Sequence, residues 1–246
     1  VALQGAAGVS TVETRDDLKL FDLQLFQPRH GYRYSLDPLL LARFCPEVSP
    51  GGAIADLGAG CGVIGLVLAR LHSTSPVLAV ESNPDMAALL EKNILHNGLT
   101  ERVSLRADDI MNLRGAMPDS RFDLVVSNPP FRTPVSGRVS PRAGRDAARH
   151  ETTAQLADFL DVAKYLVKPS GKICFIHLPS RLQEFMALAS QKKLAVLRLR
   201  MVHNKVGAPA TMFLAELAKG RRTAPVVEAP LFVRGPDDEY TDEVWR

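Results

Sequence analysis

Residues 53–81 confine the fold more tightly than any other stretch of the chain. Ala53-Ile54-Ala55-Asp56-Leu57 is apolar except for one acid, Gly58, Gly60 and Gly62 follow at alternate positions, and Val63 to Ala69 carries no charge. This order reads as a strand, a glycine-rich turn and an apolar helix to about Leu71. A second strand, Pro76-Val77-Leu78-Ala79-Val80-Glu81, comes next. Two strands joined through a helix cannot form a hairpin, so they run parallel. Continuous apolar runs of this kind belong in a sheet covered on both faces. The expectation is an α/β protein with a doubly wound, Rossmann-like sheet of about seven strands.

The remaining pattern extends that sheet. Pro84 opens a helix whose Met86, Leu89, Leu90 and Ile94 share one face, closed by Asn97-Gly98. Val103 to Arg106 and Leu124 to Val126 read as strands. Thr153 is expected to begin a helix with Leu156, Phe159, Leu160, Ala163 and Leu166 on one face, and Pro169-Ser170-Gly171 to turn it into a strand from Lys172 to Leu178. Ser180 with Gln183 suggests a capping box for a helix through Phe185, Met186 and Leu188. Leu194 to Val202 and Thr211 to Leu217 are separated by too few residues for a crossover, so these last strands pair antiparallel. Upstream, Leu18 to Phe26 hints at an extended ribbon, and Asp37 reads as an N-cap with Pro38 at the first helical position, opening a helix through Phe44. Residues 1–17 are expected to be loosely held. The expected division is an N-terminal extension over 1–29, partly disordered, a main domain over 30–220, and a tail over 221–246 that docks as a strand with a loose end.

Composition excludes several classes. With 246 residues, 46% of them hydrophobic, the chain suits one large domain with a small attachment, and a net charge of +3 requires any basic surface to be local. Cys45, Cys61 and Cys174 show neither metal-ligand spacing nor an even-numbered disulfide framework, which fits a reduced, cytoplasmic protein without a zinc site. The longest apolar run is too short for a bilayer, and the first residues lack the basic start of a signal peptide. The start at Val1 is expected to be a trimmed or incomplete N-terminus.

Chemistry gathers at strand ends. Asp56, Glu81 and Asp108 close three successive strands, and in an open α/β sheet ligands lie beyond those ends. Glycines at 58, 60 and 62 let the backbone approach a ligand closely, and the helix that follows presents free N–H groups. Gly60, Gly62 and Gly65 also satisfy the dinucleotide pattern, which leaves a nicotinamide-dependent oxidoreductase open. Asp56, however, would repel a pyrophosphate and welcome a cationic amino group. Glu81, about twenty residues beyond the glycines, can accept both hydroxyls of a ribose. The fourth strand breaks at Asn128-Pro129-Pro130-Phe131: an amide, carbonyls without an N–H partner, and a flat ring. Such a corner can hold a planar group by its exocyclic amine; alone, it is also an ordinary Asn-Pro turn. Arg132, Arg138, Arg142, Arg145 and Arg149 then crowd a long stretch with one acid, able to grip phosphates or to form a solvated loop.

Taken together, Asp56-Leu57-Gly58-Ala59-Gly60-Cys61-Gly62, Glu81, Asp108 and Asn128-Pro129-Pro130-Phe131 resemble a class I S-adenosylmethionine-dependent methyltransferase over about residues 30–218. More narrowly, Phe26-x-Pro-Arg-His-Gly-Tyr-Arg-Tyr-Ser-Leu-Asp37, Arg149-His150-Glu151 and Leu231-Phe232-Val233-Arg234-Gly235-Pro236 are similar to the bacterial tRNA adenine-N6 methyltransferases. That resemblance implies S-adenosylmethionine as cofactor, methyl transfer to an adenine N6 beside the anticodon of a valine tRNA, and RNA as partner. It assigns cofactor binding to Tyr34, Asp37, Asp56, Gly58, Ala59, Gly60, Gly62, Glu81, Ser82, Asp108, Asp109 and Asn128. Catalysis falls to Asn128, Pro129, Pro130 and Phe131, and RNA binding to the five arginines; no metal is implied. Phe131 also matches guanine-N2 methyltransferases of ribosomal RNA, and the Asn-Pro-Pro corner also serves methylation of protein glutamine. A catalytically silent RNA-binding domain is a further alternative.

Overall fold

Apolar strands with no exposed face account for the centre of the molecule. The structure, a computed structural model, describes residues 13–29, 35–130, 154–220 and 223–245. An antiparallel hairpin, β1 (Glu13–Leu18) and β2 (Leu23–Pro28), precedes helix α1 (Asp37–Phe44). The chain then alternates through β3 (Ile54–Leu57), α2 (Val63–Leu71), β4 (Val77–Glu81), α3 (Pro84–His96), β5 (Val103–Ala107), the short α4 (Leu113–Ala116) and β6 (Phe122–Ser127). After α5 (Leu156–Leu166) come β7 (Val167–His177), α6 (Leu182–Gln191), β8 (Leu194–His203) and β9 (Ala210–Lys219). The tail adds β10 (Val226–Val227), β11 (Leu231–Phe232) and α7 (Asp242–Trp245).

One nine-stranded sheet results, in the order β10-β8-β9-β7-β6-β3-β4-β5, with β11 also paired to β8. Strands β5, β4, β3, β6 and β7 are mutually parallel, and β9 runs antiparallel between β7 and β8. The seven expected strands are thus extended by two tail strands of two residues each. Residues from α1, α2, α3 and the hairpin make one apolar layer, and residues from α5 and α6 the other. Every residue of β3 is buried, as parallel strands covered on both sides require.

Several local expectations are corrected. Helix α1 begins one residue early: Leu36 already has helical φ and ψ, so Asp37 is the first helical residue and makes no capping bond. Glu13–Leu18 is a strand rather than loosely held chain; residues 1–12 lie outside the described residues. Helix α5 begins at Leu156 with Asp158 Oδ2 accepting from the Gln155 N–H at 2.8 Å, and Thr153 lies outside the described residues. Pro169-Ser170-Gly171 makes no turn, because β7 starts directly at Val167 and absorbs them as a bulge against β6. Ser180 does not cap α6: Pro179 starts a 3-10 turn that encloses it, and an Arg181–Glu184 ion pair braces the first turn instead.

The end of the sheet where β8 and β9 leave the parallel set is fastened by charge. Glu216 on β9, 5% exposed, accepts from Arg198 Nε on β8 at 2.7 Å and faces Lys172 on β7 at 3.3 Å. Arg198 also reaches Glu228 at 2.8 Å and the carbonyl of Phe44 at 2.8 Å, with its guanidinium 4.3 Å from the Phe44 ring. Removing the buried partner takes a counter-charge from both Arg198 and Lys172, whereas removing the rim partner leaves Arg198 paired with Glu216. Glu216→Ala is therefore expected to cost about 2–3 kcal/mol in a denaturant titration, and Glu228→Ala under about 1 kcal/mol; equal losses would show that burial of Glu216 is not what gives the cluster its value.

Candidate active site

The site begins where two neighbouring strands end together. In the β3–β6 pairing Leu57 lies opposite Ser127, so Gly58 opens the glycine loop at the level where Asn128 opens the proline corner. The Ser127 hydroxyl donates to the Leu57 carbonyl at 2.8 Å and ties the two exits. Val80 on β4 is the next partner of Leu57, and Glu81 pairs with Ala107, the residue before Asp108. Asn128, Asp56, Glu81 and Asp108 thus follow one another along the same edge of the sheet.

The loop is held by its backbone. The N–H groups of Gly58 and Ala59 donate to the Val80 carbonyl, both at 2.9 Å, and that of Gly60 donates to Glu81 Oε2 at 2.7 Å. Glu81 Oε1 accepts from the Asn83 N–H at 2.7 Å, so the carboxylate fixes the loop and the entry to α3 at once. Each of its oxygens keeps a second lone pair for hydroxyl donors. At Gly62, φ is +94° and a Cβ would stand 2.2 Å from Leu90 Cδ1, so a side chain at the start of α2 would be strained in backbone and would displace Leu90. Gly65 has a different reason: its N–H donates to Asp56 Oδ2 at 2.9 Å, and a Cβ there would press on that oxygen at 3.3 Å. The third glycine of the dinucleotide-like pattern serves the Asp56 carboxyl.

Asp56 is fully buried, and its other oxygen, Oδ1, has no hydrogen-bond partner. Burial pushes its pKa up to about 7, opposed by the Gly65 N–H and assisted by the charge of Glu81. Asn128 is half-buried, and its Oδ1 is likewise enclosed without a partner; Pro129 is buried and Pro130 exposed. Two enclosed acceptors left unpaired at adjoining strand ends are costly unless a donor arrives. That is the acceptor set that the donors of a cationic amine and an exocyclic NH2 would satisfy. The Cys61 thiol, pushed up to about 11 chiefly by burial, is no nucleophile here.

The other expected residues fall in three groups. Asp108 stands at the edge, but all four of its bonds are local: Oδ2 accepts from Arg106 Nε at 3.1 Å and Nη2 at 2.9 Å, and Oδ1 accepts from the Asp109 N–H at 2.8 Å and Asn112 Nδ2 at 2.7 Å. Those bonds, Asn112 foremost, hold its pKa below the ordinary range. Asp109 caps a 3-10 turn through the Met111 N–H, and Ser82 is exposed beside Glu81. Asp37 accepts from the Ser35 hydroxyl at 2.7 Å, with burial raising its pKa, and no described bond joins it to the loop. Tyr34, Phe131, Arg132, Arg138, Arg142, Arg145 and Arg149 lie outside the described residues.

Two positions escaped the sequence reading. Ser127 looked like a strand residue, and Asn93 like one polar position in an amphipathic helix. Asn93 is fully buried, and its amide donates to the carbonyl of Cys61 inside the glycine loop at 2.8 Å. A polar residue on the apolar face of α3, one position before Ile94, was the available signal.

The family model described as methyltransferase small domain matches residues 37–177, which contain every element of this edge. The chain belongs to the methyltransferase small domain family. A curated relative from Porphyromonas gingivalis, named tRNA1(Val) (adenine(37)-N6)-methyltransferase, is 32% identical over 190 residues, covering 75% of this chain and 72% of its own. Relatives of the same name from Salmonella arizonae and Tolumonas auensis are 28% and 29% identical, covering 87% and 88% of this chain and 85% and 88% of theirs. Among solved structures, a predicted O-methyltransferase from Agrobacterium tumefaciens superposes with a TM-score of 0.69 at 21% identity, over 85% of this chain and 94% of that one. TYW2 of P. horikoshii, solved with MeSAdo, gives 0.59 at 16% identity over 85% and 71%. Both show the shared methyltransferase fold.

In this methyltransferase, Asp56 titrates higher folded than unfolded, where an aspartate titrates near about 4. Its contribution to stability is therefore complete below about pH 4 and is lost as pH rises through about 7. Subtracting the unfolding free energy of Asp56→Asn from that of the unaltered protein should give a difference that falls across pH 4–7 and levels off above. A difference flat over that range would mean the carboxyl stays ionised.

Proposed function

We propose that the chain transfers a methyl group from S-adenosylmethionine to the exocyclic N6 of an adenine in tRNA. The observation that carries this reading is the pair of enclosed, unpartnered acceptors, Asp56 Oδ1 and Asn128 Oδ1, at adjoining strand ends of a methyltransferase small domain protein. The curated relatives named for this reaction and the relative structure solved with MeSAdo support substrate and cofactor.

The cofactor supplies an electrophilic methyl group on a sulfonium. Gly58, Ala59, Gly60 and Gly62 let the loop backbone lie against its methionine part, Asp56 answers the amino group, and Glu81 accepts from the ribose hydroxyls. A cation beside Asp56 favours its charged form, so binding releases a proton near neutral pH. Asp108 and Asp109, with Ser82, flank the adenine end. Asp108 reaches it by sharing an acceptor now given to Arg106 or Asn112. Tyr34, outside the described residues, and Asp37 complete the cofactor contacts in this assignment.

The amine of adenine is a weak nucleophile because its lone pair is delocalised into the ring. Asn128 Oδ1 and the Pro129 carbonyl accept its two hydrogens, which makes the nitrogen more tetrahedral and aims the lone pair at the methyl. No strong base is needed: the proton leaves during or after transfer, and alignment supplies most of the acceleration. Pro130 stiffens the corner. Phe131 stacks on the flipped-out base, a contact worth about 1–3 kcal/mol. Arg132, Arg138, Arg142, Arg145 and Arg149 grip the phosphates. A cytoplasmic location is supported by the proposed tRNA substrate and by three cysteines outside any disulfide; among the described residues no helix is long and apolar enough to cross a membrane.

The deciding experiment incubates the protein with methyl-labelled S-adenosylmethionine and unmodified tRNA and identifies the labelled nucleoside by mass spectrometry. N6-methyladenosine is expected; label in N2-methylguanosine, or in protein glutamine alone, would replace the substrate. Asn128→Ala should abolish turnover and leave S-adenosylhomocysteine affinity near that of the unaltered enzyme; joint loss of both would make the corner structural. Replacing the five arginines with alanine should weaken tRNA binding and lower the slope of log affinity against log salt by about 3–5. An unchanged slope would remove that stretch from the RNA contact.

A further inference from the structure

Of the side chains in the glycine loop only Ala59 and Cys61 pack into the core, so the bonds to its backbone also set how well it receives a ligand. On one side, the Gly60 N–H is held by Glu81. On the other, the carbonyl of Cys61, between Gly60 and Gly62, accepts from Asn93 Nδ2 at 2.8 Å. The same Asn93 amide reaches outward to the N-terminal hairpin: Oδ1 accepts from the Phe26 N–H at 2.7 Å, and Nδ2 donates to the Phe26 carbonyl at 2.9 Å. One turn further along α3, Asn97 repeats the pattern on Gln24, accepting from its N–H at 2.9 Å and donating to its carbonyl at 2.8 Å.

Two asparagines four apart on a helix thus pair with two alternate residues of a strand, as a neighbouring strand would. Only Asn93 continues into the glycine loop. The hairpin also shares an apolar layer with α3, in which Leu23 and Leu25 are buried, and at the rim the Lys92 ammonium lies 3.9 Å from the centre of the Phe26 ring and pairs with Glu13, and His96 packs edge-on against Phe26 at 5.0 Å.

We propose that Asn93 is a positioning residue for the cofactor, through which the docked hairpin, residues 13–28, holds the Cys61 carbonyl and so shapes the glycine loop. The hairpin is then a working part of the cofactor site although it carries none of the groups that touch the ligand. This rests on the cofactor reading above. Asn93 acts on cofactor affinity, while alignment at Asn128 is left intact.

The test compares Asn93→Ala, the similarly shaped Asn93→Leu, and Asn97→Ala, which frees the Gln24 end of the hairpin and spares the loop. Affinity for S-adenosylhomocysteine is read by calorimetry, and amide hydrogen exchange of Gly60 and Gly62 is read without ligand. Both Asn93 variants should bind about tenfold more weakly, as expected for an unsatisfied buried carbonyl. They should raise KM for S-adenosylmethionine by a similar factor, keep kcat and the KM for tRNA, and exchange Gly60 and Gly62 faster. Asn97→Ala should leave all of these near the unaltered values. If Asn93→Ala does not fold, Asn93→Leu decides. Unaltered affinity and exchange in Asn93→Leu, or equal losses in Asn97→Ala, would overturn the proposal. Failure of the unaltered protein to bind S-adenosylhomocysteine would overturn the cofactor reading instead, and the exchange comparison would still judge the link between Asn93 and the loop.

Discussion

The parallel pairing of β3 with β6 is the interaction on which the rest of this protein depends. It sets Leu57 opposite Ser127, and a single buried hydroxyl bond, Ser127 to the Leu57 carbonyl, fastens the two strands at the point where both chains leave the sheet. A slip of one residue would turn Asp56 to the other face and separate the glycine loop from the proline corner. Burial on both faces opposes that slip, since it would place an acid in the second apolar layer.

From that pairing the site follows by short steps. Glu81 closes the next strand and pins the loop at Gly60, while Asp56 reaches under the loop to the Gly65 N–H and caps α2 from outside the helix. Glu81 thereby gives two bonds to architecture, from Gly60 and Asn83, and Asp56 gives one. Asp56 and Asp108 differ in cause: burial drives Asp56 toward its neutral form, whereas hydrogen bonds from Asn112 and Arg106 hold Asp108 charged. Asp56 thus braces the edge through one oxygen and still has the other to offer.

Much of this was legible in residue order. The glycine turn between two apolar strands demanded a crossover, and three strand-end acids followed by Asn128-Pro129-Pro130 placed the chemistry at one edge. Local signals failed where tertiary contacts compete with them. Pro169-Ser170-Gly171 has turn composition, yet β6 offers a paired edge and the residues become a bulge. Ser180 has cap composition, yet Pro179 starts a tighter turn ahead of it. Asp37 precedes a proline like a cap, yet Leu36 has already entered the helix.

The sequence by itself determined the parallel sheet, the antiparallel finish and the residue types at the edge, because hydrophobic period, glycines and prolines act over neighbouring residues. Only the tertiary structure decided which of those side chains have an acceptor left to offer. Asp56 and Asn128 keep one, Asp108 has both oxygens engaged, and Asn93, polar and far from the motifs, is drawn into the loop. The Asp108 bonds are local, but those of Asn93 and Ser127 go to partners distant in the chain, 32 positions for Asn93 with Cys61 and 70 for Ser127 with Leu57, and no pattern of near neighbours encodes them.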